Sequence, residues 1–325
     1  MTPGMLVEGE WKTEERIPRD SEGRFVRSTT SFRDRVTADG SSGFAAEAGR
    51  YHLYVAWACP WAHRTIILRK LKGLEGAISM SVVGSYMGDE GWGWYGESGE
   101  IPDDVNGARF LREVYQKADP GYTGRVTTPA LWDKETGTIV NNESREIIRM
   151  LDHEFDAVEE VRSDVDFCPE DLRKEVDRTL DELYEPVNNG VYRSGFATTQ
   201  EAYEEAVTDL FDALDYWEVV LGERRYLCGE RITEADWAFF ATLVRFDSVY
   251  YGHFKCNLRR IVDYPNLWGY LRDLYQQPGV ADTVNMEHVK KHYYRSHESI
   301  NPTGIVPKGP VINFDEPHDR RRMSG

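Results

Sequence analysis

Residues 51–64 read Tyr51-His52-Leu53-Tyr54-Val55-Ala56-Trp57-Ala58-Cys59-Pro60-Trp61-Ala62-His63-Arg64. The first six alternate and are rich in aromatics, the signature of a strand. Pro60 suits the first turn of a helix, where its preset φ helps and its missing N–H is not needed. Beyond it, Trp61, Ile67, Leu68, Leu71 and Leu74 fall near helical spacing. A cysteine thus stands where a strand ends and a helix begins. There the helix dipole and the unpaired amides of the first turn both favour the thiolate, so Cys59 is expected to be a nucleophile. The alternative for any cysteine is a small buried apolar residue, and Cys168, Cys228 and Cys256 are read that way. Cys168, just before Pro169, is the rival on local geometry. Ala62 occupies the position where a dithiol enzyme carries its resolving cysteine. Exchange through Cys59 then runs through a mixed disulfide that an external thiol resolves.

Working outward, Ile78 to Val83 reads as a second strand, followed by a Gly/Trp/Tyr-rich insertion over roughly 84–124. An insertion of that length is usually functional. Thr128-Pro129-Ala130-Leu131-Trp132-Asp133 and Thr138-Ile139-Val140-Asn141 are short strands around the turn at 134–137, and Glu143 to Phe155 has helical spacing. The order β-α-β, insertion, β-β-α is the thioredoxin-like α/β layout. In that setting Thr128-Pro129 is expected to be cis and to turn its backbone toward the thiol. Asn141-Asn142-Glu143-Ser144 opens the closing helix and offers free amides and a hydroxyl to an anion, or simply a helix cap. After about residue 156 helical patterns dominate, at 169–188, 199–222, 233–250, 266–277 and 280–296. Thr198 to Glu201 and Thr233 to Asp236 both fit a capping box. The expected organisation is an extended arm (1–48), a thioredoxin-like thiol-binding domain (49–156), an all-helical substrate domain (157–298) and a turn-rich tail (299–325).

Composition narrows the class. The 325 residues carry a net charge of -17, which argues against a nucleic-acid partner, since phosphate binding needs an excess of Lys and Arg. No stretch is apolar enough to span a bilayer, and the N-terminus has no secretory pattern, so a cytoplasmic protein is expected. The cysteines show no paired or zinc-ligand spacing, and no metal is expected.

Together these segments resemble the glutathionyl-hydroquinone reductases, the Xi class of the glutathione transferase superfamily. The matching runs are Trp57 to Arg64, Thr128 to Asp133, Ile139 to Ser144, Arg245-Phe246-Asp247-Ser248-Val249-Tyr250-Tyr251-Gly252-His253-Phe254-Lys255-Cys256-Asn257, His292-Tyr293-Tyr294-Arg295-Ser296-His297 and Ile300 to Pro307. The resemblance implies the glutathione transferase architecture and a homodimer. It also implies a reaction in which Cys59 attacks the sulfur of a small aromatic thioether and a second glutathione regenerates the thiolate. Tyr192, Tyr250, Tyr293 and His253 match the family's aromatic pocket, while the alternative for each tyrosine is a core aromatic. Trp92, Arg125, Thr128, Pro129, Glu143 and Ser144 match the thiol-binding positions. Trp94 rivals Trp92, because the insertion departs from the family pattern at Asp89-Glu90-Gly91-Trp92-Gly93-Trp94-Tyr95. The acidic balance leaves γ-glutamylcysteine open as the thiol. An omega-like thiol transferase acting on dehydroascorbate shares the Cys59 chemistry but leaves the tyrosine runs unexplained. A non-catalytic scaffold leaves Cys-Pro-Trp-Ala unexplained.

Overall fold

The computed structural model describes residues 4–13, 18–159 and 161–323. Contacts divide the chain into two compact units, one of residues 1–17, 28–165 and 283–306, the other of 18–27, 166–282 and 307–325.

The first unit carries a small hairpin, β1 (Met5–Val7) with β2 (Glu10–Lys12), and a four-stranded sheet. The sheet contains β3 (Tyr51–Val55), which leads into α1 (Pro60–Leu71), then β4 (Ser79–Val82). Helix α2 (Leu111–Ala118) follows, then β5 (Ala130–Asp133), β6 (Thr138–Asn141) and α3 (Ser144–His153). The strand order is β4-β3-β5-β6, with β3 parallel to β4 and antiparallel to β5. This is the expected βαβ-ββα frame. Every residue of β3 is buried, as befits a central strand covered on both faces. Register explains its one imidazole: His52 pairs with Ser79, so its ring nitrogens reach the hydroxyls of Ser79 (2.7 Å) and Ser81 (2.9 Å) on the same face.

Helix α2 lies inside the stretch read as an open insertion. Leu111, Val114 and Tyr115 are spaced i, i+3, i+4 and are buried together. The arm, read as extended, is fastened to the sheet. Residues 32–34 run beside β6, where Asn142 N bonds Phe32 O (3.1 Å) and Asp34 N bonds Val140 O (3.0 Å). The arm thereby satisfies backbone groups that an edge strand would otherwise leave open.

The second unit is helical: α4 (Arg173–Leu183), α5 (Gly190–Phe196), α6 (Gln200–Glu223), α7 (Glu234–Arg245) and α8 (Pro265–Tyr275). Helices α4 and α7 each run on into a π-helical turn, Tyr184–Asn188 and Phe246–Tyr250. The expected box at Thr233 forms, with Asp236 Oδ2 accepting from Thr233 N (2.7 Å). The one expected at Thr198 moves by a residue. Thr199 caps α6, its hydroxyl taking Ala202 N at 3.2 Å and donating to Glu22 O (2.8 Å), while Thr198 Oγ1 donates to Gly23 O (3.2 Å). The last helix, α9 (Met286–Ser296), clusters with the sheet-bearing unit rather than with the other late helices. No helix among the described residues is long and apolar enough to cross a membrane.

Candidate active site

Cys59 is the N-cap of α1, with extended backbone (φ -75°, ψ 119°) and Pro60 directly behind it. Its carbonyl accepts the first helical bond, from His63 N at 3.0 Å. The side chain makes no capping bond to the first-turn amides. Instead the S–H donates to the Thr128 carbonyl at 3.3 Å. The Thr128–Pro129 peptide bond is cis.

Of the four cysteines, all among the described residues, Cys59 alone is not buried. Burial pushes the Cys256 thiol up to about 12. Burial, then the nearby Asp236 carboxylate, pushes Cys228 up to about 11. Cys168 is fully covered. The exposure that thiol chemistry needs is denied to all three, and ionisation near neutral pH to Cys228 and Cys256. Native protein treated briefly with iodoacetamide at neutral pH is therefore expected to take up one carbamidomethyl group, on Cys59. Peptide mapping that found a second modified cysteine in folded protein would contradict this.

Around Thr128 the structure builds a scaffold that sequence reading missed. Tyr115, from the unforeseen α2, donates its hydroxyl to Thr127 O (2.8 Å) and accepts from Asn142 Nδ2 (3.2 Å). Asn142 Oδ1 in turn accepts from Phe32 N of the arm at 3.2 Å. A buried tyrosine at i+4 of an apolar stripe was the available signal. Two hydroxyls here are buried without a hydrogen-bond partner, Thr128 Oγ1 and Ser144 Oγ. Buried polar atoms are rarely left so, and such a pair suits an incoming polar ligand. Ser144 is the first residue of α3, and Glu143 is its N-cap, taking Arg145 N at 3.3 Å. The Glu143 carboxylate also receives Thr30 Oγ1 from the arm at 3.3 Å.

In the insertion, Trp92 is buried and packs with Ala58, Leu111 and Tyr115 in a cluster that Cys59 borders. Trp94 packs against the same cluster, its indole N–H donating to Ile101 O (2.8 Å) and its ring standing edge-on to Tyr54. Arg125 donates to Gly4 O at 3.3 Å. Tyr293, on α9, is buried between the ring edges of His292 and His297, at 5.2 and 5.4 Å between centroids.

Tyr192, Tyr250 and His253 belong to the helical unit and gather around one ring. Phe254 stacks on Tyr250 (5.6 Å, 16°), meets Tyr192 edge-on at 5.4 Å, and lies 5.3 Å from His253. Gly195 permits this, since a Cβ there would stand 2.2 Å from Phe254 Cγ. Tyr250 closes the π turn, where Tyr251 N bonds Phe246 O at 2.8 Å. The arm contributes Arg27, whose guanidinium lies 4.9 Å above the Tyr192 ring and donates to Asn189 Oδ1 at 2.8 Å. Burial, helped by Lys255, lowers His253 to about 4, so its imidazole is neutral at physiological pH.

Comparisons with known proteins find the same family in both halves of the chain. The glutathione S-transferase N-terminal domain model matches residues 58–154, and the C-terminal domain model matches 200–273. The glutathionyl-hydroquinone reductase PcpF of Sphingobium chlorophenolicum is 54% identical over 308 residues, 95% of this chain and 96% of its own. A Xi class glutathione transferase from Natrialba magadii has a TM-score of 0.93 at 52% identity, over 99% of this chain and 98% of its own. The glutathione-bound structure of YqjG, a glutathione transferase homologue from Escherichia coli K-12, has a TM-score of 0.90 at 49% identity, over 98% and 99%. The family frame, the N-cap cysteine and this likeness along nearly the whole length lead to one conclusion: the chain belongs to the glutathionyl-hydroquinone reductases, the Xi class of the glutathione transferase superfamily.

Proposed function

We propose that this protein reduces glutathionyl-hydroquinones to hydroquinones through a Cys59 mixed disulfide, with glutathione as the reductant. The observation that carries the reading is the half-buried Cys59 thiol at the α1 N-cap, 3.3 Å from the Thr128 carbonyl. The two partnerless hydroxyls of Thr128 and Ser144 support a polar thiol as its ligand.

The Cys59 thiolate attacks the thioether sulfur, and the aryl carbon–sulfur bond breaks. The bond electrons go to the aryl carbon, which takes a proton, and the two sulfurs become a disulfide. A glutathione thiolate then attacks the glutathione sulfur of that disulfide, releasing oxidised glutathione and the Cys59 thiolate. Glu143 holds the ammonium of the γ-glutamyl end, Ser144 its carboxylate, and the Thr128 backbone the cysteinyl part, with Pro129 shaping the turn. Arg125 exchanges its Gly4 partner for the glycine carboxylate, and Trp92 flanks the peptide. γ-Glutamylcysteine keeps every one of these contacts except that of Arg125, so it is a competent second thiol. Tyr192, Tyr250, Tyr293 and His253 line the aromatic site; a tyrosine hydroxyl supplies the proton, and neutral His253 positions a phenolic hydroxyl. The protein acts in the cytoplasm as a homodimer, without metal.

The test is turnover of a glutathionyl-hydroquinone beside dehydroascorbate, each with glutathione and with γ-glutamylcysteine. Faster turnover of the thioether is expected, and a preference for dehydroascorbate would favour the omega-like reading. In the same assay Tyr250→Phe or Tyr293→Phe is expected to slow thioether reduction by about 10²-fold, the scale of general acid catalysis. Reduction of a mixed disulfide, which leaves no carbanion to protonate, is expected to hold. Equal loss on both substrates would remove the proton-donor role.

A further inference from the structure

The sequence run His292-Tyr293-Tyr294-Arg295-Ser296-His297 has a member with no role so far. His292 is buried on α9, and its ring stacks on Trp92 with centroids 4.6 Å apart and planes 21° from parallel. Its Nδ1 lies 3.2 Å from Ser85 O and 3.4 Å from Ser296 Oγ. A carbonyl only accepts, so Nδ1 carries the proton, and the ring is oriented by that bond. Further contacts pin the same loop to the same helix. Met87 N donates to Ser296 Oγ (3.0 Å), and His288 Nε2 meets Ser98 O (2.6 Å).

Trp92 needs such support. Its neighbours Gly91 and Gly93 have no side chains, so its rotamer is set by what packs on the ring: the buried cluster with Ala58, Leu111 and Tyr115 and, stacked flat on the indole, His292. Its backbone is tied, with Leu111 N on Trp92 O and Gly84 N on Gly93 O, but those bonds leave the indole's torsions open. An indole meant to flank a ligand must be held in one rotamer beforehand, or binding bears the ordering cost.

We infer that His292 is a positioning residue of the thiol site: stacked on Trp92 and anchored to Ser85, it holds the indole in the orientation that receives glutathione. The inference rests on the reading of Trp92 as the residue flanking the thiol.

The experiment measures glutathione KM and kcat with saturating thioether for Trp92→Ala, His292→Asn, His292→Phe and the Trp92→Ala/His292→Asn double variant. His292→Asn keeps an N–H for Ser85 but loses the ring. It is expected to raise the glutathione KM roughly three- to tenfold, the range of aromatic stacking pairs, with kcat within about twofold of the parent. His292→Phe keeps the stack but loses the Ser85 bond, and is expected to raise KM clearly less than His292→Asn does. In the double variant the His292 effect should vanish, as coupled residues behave. The inference is overturned if His292→Phe raises KM as much as His292→Asn does, or if His292→Asn leaves KM unchanged while Trp92→Ala raises it. Should Trp92→Ala itself leave KM unchanged, the reading of Trp92 falls, and this inference with it. His292→Leu, apolar and ringless, repeats the Asn measurement if that variant does not fold.

Discussion

Cys59→Ser is expected to fold as the parent does and to lose at least about a thousandfold of its thioether reduction, because an alkoxide precursor is a far weaker nucleophile than a thiolate. The position tolerates the change structurally. Serine is smaller, is a favoured N-cap, and can donate to the Thr128 carbonyl that the thiol now faces. No other cysteine can take over. Cys168, Cys228 and Cys256 are all buried, and burial holds the last two as neutral thiols far above physiological pH. The variant is best followed by hydroquinone release under saturating glutathione, with circular dichroism and melting as folding controls. Activity above about one per cent in a folded variant would mean that a second group carries the reaction, and the single-thiol mechanism would be wrong.

The largest stability effect is expected at Asp236, remote in sequence from the thiol. Its carboxylate is fully buried at the start of α7 and accepts four bonds, from Leu227 N (3.0 Å), Thr233 N (2.7 Å), Thr233 Oγ1 (2.9 Å) and the Tyr270 hydroxyl (2.8 Å). Burial raises its pKa, partly opposed by those bonds. Asp236→Ala strands all of these donors in a dry interior and removes one arm of the capping box of a helix that is buried along its whole length. The expected loss is about 3–5 kcal/mol, by the cost of leaving buried polar partners unmade. For a unit of this size that corresponds to a fall of roughly 10 °C in melting midpoint. Asp236→Asn keeps the shape and one acceptor oxygen and is expected to fall between. A change under about 1 kcal/mol in the alanine variant, by thermal or urea denaturation, would show that the network contributes little beyond a surface cap.

Reading from sequence worked where the signal is local. The β3–Cys59–α1 passage carries an alternating run, a Pro at the first helical turn and apolar residues at helical spacing, each a property of neighbouring residues. The box at Thr233 is likewise written within four residues. Failures fall where partners are distant or local signals conflict. Helix α2 has a sound apolar stripe but sits among glycines and tryptophans that read as loop. Helix α5 contains Gly190 and Gly195, poor helix formers, and Gly195 is explained by Phe254 lying against it. The cap expected at Thr198 falls on Thr199; the two adjacent threonines offer the same capping hydroxyl, and both bond the arm.

By itself, then, the sequence determined the frame and the place of the candidate nucleophile: a βαβ-ββα order, a helical remainder and Cys59 at a helix start, with Ala62 where a partner thiol would stand. These follow from periodicity and from the dipole at a helix N-terminus, which need no knowledge of distant residues. Only the tertiary structure decided that the arm pairs beside β6, that Phe254 gathers Tyr192, Tyr250 and His253, and that His292 lies flat on Trp92. Apart from Tyr250 and His253, which are near Phe254 in the chain, those arrangements join residues roughly 60 to 200 positions apart. They come from packing and from the need to pair every buried polar group, and neither is encoded in any short window of the chain.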